Sequence, residues 1–238
     1  MINLLLLLTA LQLPMSHISS AIVTVYYPTN MDDSVAKSYF YVINQLLVDD
    51  TTKFKIGDEK ELKIRLCRDA YEFSDLTGFD SVFSPLWKDG TLYILGRGDL
   101  NDPDYRSILE AGVIRALLSK LRQNGAPWWL INSAAVYESG EYKNCLSPPI
   151  ENVEYFADLD ERIQSASSQT ELSNLCFYLG ETGKFFDLRF GVGALLQLVQ
   201  EFRQETDLGG AVKKLFNVDR ADLESDWRDF LKKEANSR

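Results

Sequence analysis

Apolar residues recur at helical spacing over residues 105–121, and this is the clearest pattern in the chain. Asn124 and Gly125 follow it, and both tolerate the left-handed backbone found just beyond a helix. Pro127 stands where a first helical turn accepts proline, and a second apolar run then extends to Gly140. The pattern therefore predicts two helices joined by a short break. The apolar positions are Tyr105, Ile108, Leu109, Val113, Ala116, Leu117 and Leu121, then Trp128, Trp129, Leu130, Ile131, Ala134, Ala135 and Tyr137.

Before this helix pair, the pattern alternates between strand and helix. A run rich in β-branched and aromatic residues over 21–27 predicts one strand, and alternating apolar and polar residues over 61–67 predict another. Residues 34–48 have helical spacing and predict a helix between the two strands. The polar run over 49–52 is expected to end that helix.

A β-hairpin is expected next. The dipeptide Asp89-Gly90 separates apolar runs over 80–87 and 91–95, and Asp-Gly between such runs is a strong hairpin signal. One or two helical turns are expected before it, over residues 70–76.

Helical patterns dominate the C-terminal half. Gly191 and Gly193 are unusual inside a helix, and they indicate close packing, a kink or a later helix start. After a break at Ser147-Pro148-Pro149, the helical patterns cover residues 152–163, 182–204 and 208–216, and Asp219 caps a last helix.

Together these elements predict an α+β fold. A small mixed β-sheet with helices is expected over residues 22–126, and an all-helical subdomain over residues 127–238.

The first 21 residues have the pattern of a secretory signal peptide. A short leucine-rich run is followed by polar residues that end in Ser19-Ser20-Ala21, and the run is too short to span a membrane. We expect cleavage after Ala21, which leaves Ile22 as the mature N-terminus. The mature protein is then expected to be periplasmic or secreted, with no transmembrane segment.

The charge restricts the class of partner. A formal net charge of −10 argues against nucleic acid, whose phosphates attract lysine and arginine. It also leaves no polybasic patch for anionic lipid. The charge favours simple solubility, and selection of a basic partner is the second interpretation.

Cysteine is sparse, with Cys67, Cys145 and Cys176. Cys67 ends an alternating strand and is expected in the core. Cys145 and Cys176 flank a polar stretch and could form a disulfide, which export permits. A catalytic cysteine is disfavoured, because the mature chain would have no histidine to activate it.

The helix pair resembles the core of the gluzincin metallopeptidases, in particular the bacterial peptidase-MA-like group. The matching framework residues are Pro127, Trp129, Leu130, Ala135 and Tyr137. In that family the first helix carries H-E-x-x-H, and the second carries W-L-x-E-G-x-A-x-Y, which supplies the third zinc ligand. The order of strand, helix, strand, short helix, hairpin and motif helix is similar as well. The resemblance implies a zincin-like fold and a bacterial origin.

The residues that perform the chemistry in that family are missing here. Its two histidine positions hold Ala111 and Arg115, its general-base position holds Gly112, and its third-ligand position holds Asn132. Zinc needs three protein donors, yet alanine and glycine donate nothing and arginine repels a cation. The single histidine, His17, lies in the expected leader. We therefore expect no catalytic residue, no metal and no other cofactor.

The resemblance also implies a remnant pocket. Arg115 and Asn132 are expected to face each other, with Tyr137 and Glu138 nearby. Arg115 could bind a carboxylate in fork geometry, or it could pair within the protein with Glu110 or Glu138.

By the same resemblance, the strand over 91–95 is the sheet edge that borders the cleft, and such an edge can pair with an extended peptide. Tyr93 and Trp128 are then candidate residues of the cleft edge. The resulting hypothesis is an exported, catalytically inactive peptidase-like protein that binds or scaffolds an unknown protein or peptide. The alternative is a hydrolase or peptidase that works with a non-standard metal site or without metal.

Overall fold

A mixed β-sheet forms the N-terminal part of the protein. The computed structural model describes residues 14–56, 61–145, 155–204 and 206–236. Within these ranges the sheet has five strands in the order β1-β2-β3-β5-β4. Strands β2, β3 and β5 run parallel, and β1 and β4 flank them antiparallel. The strands are β1 (Met15–Ser19), β2 (Val23–Pro28), β3 (Leu62–Cys67), β4 (Leu86–Lys88) and β5 (Thr91–Leu95).

The strands predicted over 21–27, 61–67 and 91–95 are confirmed as β2, β3 and β5, and the Asp89-Gly90 hairpin is confirmed between β4 and β5. Strand β1 has no counterpart in the sequence pattern. It lies inside the expected leader and pairs with β2 along its whole length. Cleavage after Ala21 would remove it, and the leader itself stays a prediction, with its apolar run outside the described residues.

The expected sheet edge over residues 91–95 is wrong. Strand β5 bonds to β3 on one side and to β4 on the other, so β4 is the edge. Strand β4 has only three residues, because Asp80 caps a short 3-10 turn at Ser81–Phe83 and Pro85 lacks the N–H that a ladder needs. Tyr93 therefore lies on an interior strand of the sheet.

Helix α1 (Asp33–Phe54) is longer than its pattern indicates, so the expected end at residues 49–52 is wrong. The hydroxyls of Thr51 and Thr52 donate to carbonyl groups one turn earlier in the helix. Phe54, at the end of α1, is fully buried. Its burial outweighs the low helix propensity of the polar residues before it.

The central helix pair is confirmed. After the short helix α2 (Ala70–Thr77), α3 covers Pro103–Leu118 and continues as a 3-10 turn over Ser119–Asn124. Gly125 adopts φ of 93°, the left-handed backbone expected of the break. Helix α4 then covers Trp128–Glu138.

From residue 127 onward, the part of the chain that the structure describes contains helices and turns and no strand. The run predicted over 182–204 is two helices, because Gly191 and Gly193 adopt φ of 100° and 84° and separate them. The break at Ser147–Pro149 and the start of the helix predicted over 152–163 lie outside the described residues. The helices are α5 (Phe156–Ser165), α6 (Gln169–Phe190), α7 (Ala194–Glu201), α8 (Leu208–Phe216) and α9 (Arg220–Asn236).

Helix α3 contributes to two hydrophobic clusters. Leu109 and Val113 belong to the sheet cluster, which α1, α3 and the strands form. Ile114 and Leu118, on the opposite face of α3, belong to the helical cluster, which contains the apolar faces of α4 to α9. The division of the chain at residue 126 stays a prediction. Among the described helices, none is both long and apolar enough to cross a membrane.

Candidate functional site

The side chain of Arg115, a residue of α3, lies between α3 and α4 and is held by two polar side chains. Its Nε donates to Asn132 Oδ1 at 3.0 Å, and its Nη2 donates to Glu141 Oε2 at 2.9 Å. Asn132 is oriented in turn, because its Nδ2 donates to the Trp128 carbonyl at 2.9 Å. The Arg115 side chain is 24% exposed and the Glu141 side chain 18%, so the ion pair is partly shielded from water. The guanidinium is therefore fixed in place by neighbours of this same chain.

The internal partner of Arg115 differs from both expected partners. Glu141 comes from a 3-10 turn at Glu141–Asn144 that follows Gly140, whose φ is 78°. Glu138 pairs with Lys53 of α1 instead. The left-handed Gly140 redirects the chain after α4, and this brings Glu141 back towards α3. An acidic residue directly after a helix-ending glycine is the signal that could have found it.

Ala111 and Gly112 are packing positions. Ala111 is fully buried in the helical cluster. Gly112 lies against the ring of Pro85, and a Cβ added to it would lie 2.6 Å from Pro85 Cβ. Gly112 is thus the place of a close contact between α3 and the segment before β4.

Replacing Gly112 with alanine is expected to lower the free energy of unfolding by about 1–3 kcal/mol, because overpacking forces backbone or ring to shift. Chemical denaturation of both proteins measures the difference. Gly210→Ala on α8 is the matched control, since the nearest atom to its added Cβ would be an Asp207 carboxylate oxygen, at 3.3 Å. Equal losses in the two variants would argue against a special contact at Gly112.

Tyr137 and Trp128, at the two ends of α4, make other contacts. Tyr137 donates from its hydroxyl to Asp187 Oδ2 at 3.0 Å, which directs it towards α6. Burial, and then this hydrogen bond, raise the pKa of Tyr137. Trp128 is partly buried, with the Arg122 guanidinium 4.9 Å above its ring. Of the expected pocket residues, the structure therefore joins Arg115 with Asn132.

Asp160 is a site residue that the sequence pattern misses. Its carboxylate accepts from the backbone N–H groups of Trp128 at 3.3 Å and Trp129 at 2.5 Å, so α5 caps the first turn of α4. Burial raises the pKa of Asp160, although these two N–H groups oppose the rise. In the sequence, Asp160 stands among other acidic residues and is therefore expected on a solvent-exposed helix face.

The metal and thiol chemistry of the described residues is limited. Across the described ranges, no group of three or more His, Cys, Asp and Glu side chains is placed to hold a metal ion. Cys145 and Cys176 form a disulfide. Cys67 is fully buried, as its strand position predicts, and burial raises the pKa of its thiol to about 12. A thiol with that pKa stays protonated and does not act as a nucleophile at neutral pH.

A shallow cavity of about 270 Å³ lies between α5 and α6, and none of the candidate residues lines it. Its lining residues include Arg162, Asn174 and Tyr178. The position between α3 and α4 is filled by the Arg115 ion pair instead. Compared with known proteins, the chain matches no family model, no curated protein and no solved structure.

Proposed function

We propose that this protein is an exported, non-catalytic protein with a binding or scaffold role, built on a peptidase-like frame. One observation carries the proposal: Asn132 and Glu141 fix the guanidinium of Arg115, a residue that the resemblance aligns with a zinc ligand. A permanent cation there repels a metal ion. A filled site of this kind favours an architectural use of the helix pair over chemistry.

The peptidase-like frame is supported by the order of elements. Strand β2, helix α1, strand β3, short helix α2, the β4–β5 hairpin and helix α3 follow one another as the resemblance implies. Helix α4, which carries the framework residue Trp129, packs against α3. We propose that the partner is a protein or peptide that contacts the outside of this frame.

Export is supported by the Cys145–Cys176 disulfide. Disulfides form and persist in oxidising compartments and are rare where thiols are kept reduced. We propose the periplasm or the extracellular space.

Purified protein is expected to bind no stoichiometric zinc and to have no chelator-sensitive peptidase activity. Ala111 has no donor atom, and Arg115 keeps its charge at any ordinary pH. Metal content after dialysis against zinc, together with cleavage of an unfolded protein substrate with and without a chelator, measures both properties. Wild-type protein with bound zinc and chelator-sensitive cleavage would contradict the non-catalytic assignment.

A rebuilt variant tests the frame separately. The triple change Ala111→His, Arg115→His and Asn132→Glu supplies two imidazoles and a carboxylate at the motif positions, and we expect it to bind about one zinc ion per chain. Circular dichroism checks that the variant is folded. A folded variant that binds no zinc would contradict the peptidase-like placement of these positions, even if the wild type is inactive.

A further inference from the structure

Lys53 pairs with one carboxylate and acts electrostatically on two more carboxyl groups where α1 meets α3 and α4. Asp50 and Lys53 lie on α1, Glu110 lies on α3 and Glu138 lies on α4. Lys53 Nζ contacts Glu138 Oε2 at 2.7 Å and donates to the Glu138 backbone carbonyl at 3.3 Å. This ion pair ties the C-terminal end of α1 to the C-terminal end of α4.

Asp50 is the buried member of the group. Only 2% of its surface is exposed, and its Oδ2 is buried without a hydrogen-bond partner. An ionised carboxylate in such a place is costly, whereas a neutral carboxyl is tolerated. Burial, and then the Glu110 carboxylate, raise the pKa of Asp50 to about 7, while Lys53 opposes the rise.

Further charged groups near Asp50 lie on α1, α3 and α4. Asp49 and Glu138 add to the negative potential at Asp50. Burial raises the pKa of Glu110, with Lys53 and Arg106 acting against it. Among the described residues, several carboxyl groups therefore act on Asp50, against a single ammonium, that of Lys53.

Two elements beside α1 carry titratable side chains whose contacts lie with other residues. Helix α7 has Glu201, which pairs with Lys214 of α8. On strand β1, the ring of His17 lies beside the ring of Tyr26. Tyr26 is exposed, and it alternates with the buried residues of β2 that face α1. Within the described ranges, Lys53 is thus the cation that can stabilise a negative charge on Asp50.

We propose that Asp50 and Lys53 form a proton-dependent latch between α1 and α4. With Asp50 neutral, Lys53 stays on Glu138 and the latch is closed. When Asp50 loses its proton, its carboxylate stands three residues before Lys53 on the same helix and competes for the ammonium. The tie to Glu138 is then released.

Opening of the latch has a structural consequence at the end of α1. Phe54 and Ile56, which follow Lys53, are buried in the helical cluster, although most of α1 packs on the sheet. Release of Lys53 from Glu138 therefore loosens the place where the two clusters meet. This regulation does not depend on the proposed function and holds for any role of the protein.

The direction of the pH effect follows from proton linkage. The closed latch holds a proton on Asp50 that the open, hydrated form releases, since an exposed aspartate has a pKa of about 4. Below that value, the free-energy difference that favours the closed form is at its largest. This difference decreases as the pH rises towards about 7, and the ratio of closed to open protein is constant above that pH.

Amide hydrogen exchange of the full chain, corrected for intrinsic rates, tests the latch between pH 4 and pH 8. The readouts are the amides of residues 49–56 and of residues 134–139. Relative to Asp50→Asn, the opening constant of the wild type is expected to rise by up to about tenfold per pH unit between pH 4 and pH 7, and to level off above. Asp49→Asn, at the exposed neighbouring position, is the control: it should keep the wild-type slope below the plateau, and its plateau should begin at a slightly lower pH, because the Asp49 charge also raises the pKa of Asp50.

An identical slope in wild type and Asp50→Asn would overturn the proposal. If Asp50→Asn does not fold, Glu110→Gln takes its place. Removal of the Glu110 charge lowers the pKa of Asp50, so the plateau should begin at a lower pH than in the wild type. A plateau at an unchanged pH would then be the contradicting result.

Discussion

Trp129→Ala is expected to lower the free energy of unfolding by about 3–5 kcal/mol, the cost typical of deleting a large buried aromatic side chain. Trp129 is 1% exposed, and its ring stacks on Phe156 with centroids 4.1 Å apart. Phe186 of α6 lies on the same stack, at 6.1 Å. The substitution therefore removes contacts between α4 and two other helices and leaves a cavity among them. Urea denaturation followed by circular dichroism measures the loss.

The neighbouring tryptophan provides the control for this prediction. Trp128 is only partly buried against the helical cluster, and the Arg122 guanidinium lies 4.9 Å above its ring. Trp128→Ala should therefore cost less, about 1–2 kcal/mol, because it loses part of a large apolar surface and one cation–π contact. A loss at Trp129 as small as the loss at Trp128 would show that α4 does not pack through Trp129.

Removal of the disulfide by Cys145→Ser with Cys176→Ser is expected to cost about 3–4 kcal/mol, from the entropy that the cross-link removes from the unfolded chain. The two cysteines are 31 residues apart in sequence. Cys145 directly follows the turn that contains Glu141, and Cys176 lies on α6. The bridge therefore also connects that turn to α6. Thermal unfolding of the oxidised protein and of the double variant gives the difference.

Reduction of the wild type supplies an independent check. A dithiol reductant should lower the unfolding midpoint of the wild type towards that of the double variant and leave the variant unchanged. A wild type whose midpoint does not respond to the reductant would contradict the stabilising role of the bridge.

Local periodicity was enough to predict the elements that bury one face. The helix pair and the strands β2, β3 and β5 all follow from apolar spacing and from the residues that end each element. The Asp89-Gly90 turn likewise fixes its hairpin, because its residues favour the backbone that the turn requires. Each of these signals lies within a few residues of the structure that it determines.

The predictions that fail depend on contacts between distant segments. Helix α1 continues past its polar run because Phe54 is buried against another part of the chain. Strand β5 becomes interior because β4 folds back onto it. Neither burial nor strand order is visible in a local pattern, and tertiary packing overrides propensity in both places.

The candidate site shows the same limit. The resemblance implies that Arg115 and Asn132 face each other, and the two side chains are hydrogen-bonded. Glu141 and Asp160 are polar residues beyond the aligned motif, and each reaches the site from a segment whose direction the sequence does not give. A sequence pattern locates the helices of a site more readily than the side chains that arrive from turns.

The position of α3 between the two clusters has a consequence for cooperativity. Its Leu109 and Val113 complete one core while its Ile114 and Leu118 complete the other. If either core melts, α3 loses the packing that holds it in place, and the remaining core loses one of its walls. The two parts of the protein should therefore unfold together, and neither half is expected to survive as an independent fragment.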